Sequence, residues 1–307
     1  MDQIAFLFSG QGAQAPGMGQ SWMQYGGSAQ KVFTMAEALR PGTQAQCFAG
    51  DKATLSQTEN TQPCLFCVDL AAAEALREAG ITPAAVAGFS LGEIPALAFA
   101  GMLSWEEAFA LVVARGQAMQ ACAQKNPGAM AAVLGLADEQ VEAISREHGV
   151  FPVNYNCPGQ LVVAGEALAM EAAVQAFKAE KGRVIPIGVS GPFHTPYMQS
   201  AKEALEAFLA AHPLAVPQLP VYANRTGEPY REPLGPWLCE QVANPVRWKE
   251  TLLAMWAAGI RVFIEVGIGK TLCGLVKKTL PQAKALSVTD EESLQATLAA
   301  LKGESPC

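Results

Sequence analysis

Charge is scarce in this chain. Only 16% of its 307 residues are Asp, Glu, Lys or Arg, and 28 acidic against 21 basic residues leave a net charge of −7. That balance disfavours nucleic acid as the main partner, because phosphate binding rests on clustered Lys and Arg. No apolar run approaches the ~18 residues of a membrane span, so no membrane partner is expected. Met1-Asp2-Gln3 carries no basic region, and the apolar run Ile4 to Phe8 is too short for a signal peptide. A cytoplasmic location is the expectation. Histidine is rarer still, at positions 148, 194 and 212 only, which leaves few candidates for a neutral-pH base. Of the eight scattered cysteines only Cys64 and Cys67 form a C-x-x-C, and no second pair or histidine spacing completes a metal site. Reduced, buried thiols and no metal are expected. What the chain has in abundance is apolar surface, 50% of its residues. That supplies a sizeable core, and the length suits one large domain carrying a smaller insert.

The chain is organised around Gly88-Phe89-Ser90-Leu91-Gly92, a match to the G-x-S-x-G nucleophile elbow. An apolar run ends at Val86-Ala87 and a second, helix-like run begins at Ile94, so the serine falls on a strand-to-helix turn. Gly88 and Gly92 lack a Cβ, which lets neighbouring backbone close on the turn. The following helix aims its unpaired N–H groups and positive dipole end at the serine. These five residues alone fit a tight turn with an inert serine equally well. Pro95 cannot donate to the Leu91 carbonyl and is expected to disturb the first turn.

Elsewhere, strands alternate with helices, the mark of an α/β sheet. Residues 4–8 read as a buried parallel strand running into the glycine loop 9–14, which has neither the lysine of a P-loop nor G-x-G-x-x-G spacing. Backbone N–H groups of such a loop can supply half of an oxyanion hole. Gln62-Pro63 is expected to open a helix through Leu76, and 84–89 to form the next strand. A helix over 106–121 carries Arg115 in its apolar stretch; in isolation this reads as an arginine snorkelling from a half-buried face. After Asn126-Pro127-Gly128 the order is strand 129–136, helix 138–147, strand 151–156, strand 160–164, helix 167–179, strand 183–189. That β-α-β-β-α-β order is ferredoxin-like, so 127–191 is expected to be an inserted subdomain, with 1–126 and 192–307 forming the large one. A helix over 197–211, a strand near 220–223 and a last buried strand at 261–266 follow. The tail after Lys302 is expected to be disordered.

A serine needs a base to act as nucleophile. His148 lies in a charged Arg-Glu-His-Gly stretch, and His212 precedes a proline at a helix end, both solvent-facing settings. His194 lies where the insert rejoins the large domain, and an interdomain cleft is the default ligand site. By elimination His194 is the base.

Taken together, Gly10-Gln11-Gly12-Ala13-Gln14, Gly88 to Glu93, Arg115-Gly116, Phe193-His194, Asn244-Pro245-Val246 and Glu265-Val266-Gly267 closely resemble the malonyl-CoA:acyl carrier protein transacylases, in family order from about residue 3 to about 280. The resemblance implies an α/β-hydrolase-like large subdomain with a ferredoxin-like insert. It implies ping-pong transfer of malonyl from malonyl-CoA to Ser90, activated by His194, and then to the phosphopantetheine thiol of acyl carrier protein. Coenzyme A thioester enters as substrate, with no separate cofactor. Backbone N–H groups of Gln11 and Leu91 would form the oxyanion hole, and Arg115 would hold the malonyl carboxylate through a two-pronged pair. The resemblance further implies that the backbone carbonyl of Arg247, where many members have glutamine, orients the histidine. Phe193 resembles the malonyl-selecting pattern of related domains, its ring filling the space an α-methyl would need. Phe89 stands where many members carry histidine. The expected role is fatty acid synthesis by a monomer. A free-standing acyltransferase of a polyketide synthase would share every motif, whereas a serine esterase or thioesterase would not need Arg115.

Overall fold

The computed structural model describes residues 2–189 and 191–303. Among these, nine strands form two sheets, one parallel and one antiparallel. The parallel sheet contains β1 (Gln3–Phe8), β2 (Ala85–Gly88), β7 (Val221–Tyr222), β8 (Ile260–Val266) and β9 (Lys284–Val288), in the order β7-β2-β1-β8-β9. Its central strands read as unbroken apolar runs because both faces are covered. On one face Phe6, Phe8, Val86 and Ile264 pack into a core with the helices Thr58–Glu78, Glu93–Phe99 and Trp105–Lys125. On the other, Ala5, Leu7, Ala87 and Phe263 pack with Trp248, Leu252, Leu272 and Val276, from the helices Trp248–Ala257 and Thr271–Thr279.

The second sheet contains β3 (Gly128–Leu134), β4 (Phe151–Cys157), β5 (Gln160–Glu166) and β6 (Arg183–Ile187), in the order β4-β5-β3-β6. The helices Asp138–His148 and Ala167–Ala179 complete the β-α-β-β-α-β order read from sequence. Alternation divides its faces. Ala131, Val133, Leu161 and Val163 pack under those two helices, while Met130, Ala132, Val162 and Ile187 turn toward the parallel sheet. Main-chain bonds tie the two parts together, Tyr155 N–H to the Val246 carbonyl at 2.9 Å and Val246 N–H to the Val153 carbonyl at 2.8 Å.

Three expectations need correction. The helix expected to open at Gln62-Pro63 begins at Thr58, with Pro63 inside it. The hydrogen bond lost at Pro63 is offset by packing, since every residue from 61 to 76 is buried. β8 is not the last strand: β9 follows it at the sheet edge, where only Val288 is fully buried and the apolar signal is weak. Pro95 falls in the first turn of Glu93–Phe99, where the proline lacks a donor that the helix leaves unpaired anyway. The tail expected to be disordered lies, from residue 304 onward, outside the described residues.

Candidate active site

β2 ends at Gly88 and the chain turns sharply, placing Ser90 at φ 52° before the helix Glu93–Phe99. Positive φ is strained for a serine and survives only where surroundings dictate it. Here they do. A Cβ on Gly88 would lie 1.9 Å from the Gly92 carbonyl carbon, and one on Gly92 would lie 2.4 Å from the Phe8 carbonyl oxygen. The loop after β1 is fitted as tightly, since a Cβ on Gly10 would come 2.8 Å from the Phe89 carbonyl oxygen. The glycine loop and the elbow therefore close on each other through backbone contacts that side chains would forbid.

Asn224, just past β7, secures the turn from the neighbouring strand. Its Oδ1 accepts from Ser90 N–H at 2.6 Å and its Nδ2 donates to the Gly88 carbonyl at 2.6 Å. His194, also at positive φ (62°), sets Nε2 2.7 Å from Ser90 Oγ. Its Nδ1 lies 2.9 Å from the Gln241 carbonyl, which can only accept, so Nδ1 carries the proton and Nε2 offers its lone pair to the hydroxyl. Burial, and then the charge of Arg115, pull the His194 pKa down to about 4. It is neutral at pH 7, the form a general base needs.

The expected part of Arg247 goes to Gln241. Gln241 is the last residue of the helix Leu234–Gln241, where carbonyls have no intrahelical partner and are free to take the imidazole N–H. Arg247 instead donates its backbone N–H to the Asn224 carbonyl at 2.8 Å, and its guanidinium lies over the Tyr155 ring at 5.1 Å.

Arg115 does not snorkel. It is 0% exposed on the helix Trp105–Lys125, and its Nη2 donates to Gln241 Oε1 at 2.8 Å and to Ser90 Oγ at 3.2 Å. Its Nε and Nη1 have no hydrogen-bond partner among the described residues. Burial lowers its pKa to about 10, which leaves it cationic at pH 7. A buried cation with unused donors beside a nucleophile is suited to an anionic group on the substrate.

Ser90, His194, Gln11, Phe89 and Phe193 share a cavity of about 300 Å³ with Met130, Asn154, Asn156 and Val162 of the second sheet. Phe193 is buried next to the histidine, and Phe89 meets Trp248 edge-on with ring centroids 5.3 Å apart. Gln11 lies in the loop facing the elbow, its side chain donating to Thr58 Oγ1 at 3.3 Å. Leu91 is buried at the start of the turn. His148 and His212 do not line the cavity; His212 stacks on Phe208 at 4.5 Å. Cys64 and Cys67 are free, buried thiols, and no group of three or more His, Cys, Asp or Glu able to hold a metal occurs among the described residues.

Sequence reasoning missed a second layer. The Glu93 carboxylate, wholly buried, accepts from Gln241 Nε2 at 2.8 Å, from Asn224 N–H at 3.2 Å and from the Tyr230 hydroxyl. Gln241 Nε2 also donates to the Ser90 carbonyl at 2.7 Å. The available signal was an acid in the first turn of an otherwise apolar helix.

The acyl transferase domain family matches residues 5–299. A malonyl CoA-acyl carrier protein transacylase of Bacillus subtilis is 39% identical over 99% of both chains. The structure of a protein of that name from Clostridium perfringens superposes with a TM-score of 0.94 at 35% identity, covering 98% of each chain. A malonyl-transacylase solved in complex with its type II PKS acyl-carrier protein superposes with a TM-score of 0.93 at 34% identity, over 97% of this chain and 99% of that one. With its elbow, histidine and buried arginine set in this frame, the chain belongs to the acyl transferase domain family, among the malonyl CoA-acyl carrier protein transacylases.

Proposed function

We propose that this chain transfers malonyl from malonyl-CoA to the phosphopantetheine thiol of acyl carrier protein, in fatty acid synthesis. The observation that carries the substrate is Arg115, a buried cation whose Nη2 lies 3.2 Å from the nucleophilic oxygen. His194 Nε2 takes the Ser90 proton as Oγ attacks the thioester carbonyl. The N–H groups of Gln11 and Leu91 receive the oxyanion, and the departing coenzyme A thiolate takes the proton back from His194. The malonyl-serine ester keeps its carboxylate on Arg115. His194 then accepts the carrier thiol's proton, the thiolate attacks the ester, and Ser90 recovers a proton as it leaves. Phe193 narrows the space beside the α-carbon.

The all-parallel main sheet with its elbow after β2 supports an α/β-hydrolase-like description of 1–126 and 192–307, and the strand order β4-β5-β3-β6 supports a ferredoxin-like one for 127–191. No described helix is long and apolar enough to cross a membrane. Each chain carries the whole constellation, so a monomer suffices. The polyketide carrier protein seated on a structural relative favours a second reading, in which the same reaction serves polyketide synthesis. Initial rates over a grid of malonyl-CoA and carrier protein concentrations test the mechanism. Parallel double-reciprocal lines are expected; intersecting lines would mean direct transfer without an acyl-enzyme.

A further inference from the structure

Buried cations are usually met by a carboxylate in direct contact, since an unpaired charge is costly to bury. Arg115 is not. Its acceptor is the neutral amide oxygen of Gln241, and the nitrogen of the same amide donates to Glu93 Oε2. Carboxylate, amide and guanidinium are thus joined in line, with the amide dipole aligned between the two charges. A direct pair would consume the guanidinium face. The interposed amide couples the guanidinium to the Glu93 charge, anchors one nitrogen, and leaves Nε and Nη1 without a partner among the described residues.

We propose that Glu93 is a positioning residue for acyl-group selection: its carboxylate, secured by Tyr230 and the Asn224 N–H, holds the Gln241 amide so that its oxygen anchors Arg115 beside Ser90 Oγ. This rests on Arg115 being the malonyl site. An ionised carboxylate is acceptor-only and requires the amide nitrogen on its side, and the Ser90 carbonyl requires the same. His194 is oriented separately, by the Gln241 backbone carbonyl. The relay therefore acts on recognition of the substrate's carboxylate and not on the base.

Burial raises the Glu93 pKa to about 7, against the lowering effect of its hydrogen bonds to Tyr230, Gln241 and Asn224 and of the Arg115 charge. The titratable groups facing it hold their states through the neutral range. Tyr230 is pushed well above its usual value, Arg115 stays cationic, and His194 stays neutral down to about 4. Protonation below about 7 removes the charge that the Gln241 amide nitrogen and the Asn224 N–H bond to, and leaves them a weaker, neutral acceptor.

The test is the ratio of kcat/KM for malonyl-CoA to that for acetyl-CoA in the full-length enzyme, followed against pH. Glu93→Gln keeps an oxygen for Gln241 and Asn224 but removes the charge. It should lower the ratio by about 10- to 100-fold at pH 8, the range for losing one charge-assisted bond, with acetyl transfer little changed. The wild-type ratio should fall as pH drops through about 7, and the variant's should be flat. Tyr230→Phe removes one donor to Glu93 and should show a smaller loss in the same direction; it decides the matter if Glu93→Gln fails to fold. Unchanged ratios, or equal losses for both thioesters, would overturn the relay. Arg115→Ala run alongside separates two failures. If it loses the malonyl preference while the Glu93 and Tyr230 variants keep it, only the relay is wrong. If it too keeps the preference, the reading of Arg115 fails and the relay with it.

Discussion

Replacing Arg115 with alanine removes the one buried cation among the described residues, the side chain proposed to receive the malonyl carboxylate. The side chain is fully buried, and Nη2 is held by Gln241 Oε1 at 2.8 Å. Malonyl-CoA would then have to bury its carboxylate in a largely apolar cavity without a partner, which costs several kcal/mol. Truncating one member of a buried charged pair typically costs ~2–5 kcal/mol, or about 30- to 4,000-fold in kcat/KM at ~1.4 kcal/mol per decade. Acetyl-CoA carries no carboxylate. In the wild type it gives Arg115 Nε and Nη1 no acceptor, so in Arg115→Ala its transfer should hold steady or rise. Because Nη2 also reaches Ser90 Oγ at 3.2 Å, the ratio of the two activities is the diagnostic quantity. Arg115→Lys keeps the charge but not the two-pronged geometry and should fall between. Steady-state kinetics with both thioesters measure it. A parallel fall in both activities would reduce Arg115 to a packing residue and remove the physical basis for a malonyl substrate.

The buried imidazole gives a pH signature. With a neutral acyl thioester, which makes no use of Arg115, kcat/KM should stay flat from alkaline pH down through the ordinary histidine range and fall only near pH 4, where His194 takes a proton. A fall near the free-histidine value of about 6.5 would show that His194 is solvated. Because its pKa is lowered by folding, the same group should cost stability as pH falls from about 6.5 toward about 4, where the unfolded chain binds the proton first. Thermal unfolding against pH, comparing wild type with His194→Ala, would fail to support this if the difference did not change over that window. Docking of an acidic carrier protein on an acidic enzyme needs local positive charge, and Lys181, Arg183, Lys270, Lys277 and Lys278 are the candidates. Reversing them should raise KM for carrier protein and spare self-acylation by malonyl-CoA; equal losses in both half-reactions would indicate misfolding instead.

Much of this molecule was legible before its structure, for identifiable reasons. β1, β2 and β8 announce themselves because burial on both faces demands unbroken apolar runs, and the second sheet because Gly and Pro punctuate its short elements. β9 escaped notice because an edge strand with mostly half-exposed residues needs no such run. Pro63 misled because local proline chemistry marks a helix start, whereas tertiary packing carried the helix through it. Within the site, Ser90 and His194 were readable from side-chain chemistry. The group that orients the histidine was not, since a backbone carbonyl leaves no mark on residue type, and the role falls to Gln241 rather than Arg247. Asn224 reaches Ser90 only because β7 pairs with β2, a neighbour relation 134 residues apart in sequence that local pattern does not encode.

The central claim is that Ser90 carries the acyl group. Intact-mass measurement after incubation with malonyl-CoA, with no carrier protein present, tests it most directly. Wild-type protein should gain a single malonyl group that maps to Ser90 and disappears when carrier protein is added. Ser90→Ala, with the elbow backbone still held by Asn224, should gain none while unfolding at a similar temperature. A full-strength adduct on Ser90→Ala, or one that carrier protein cannot discharge, would contradict the assignment.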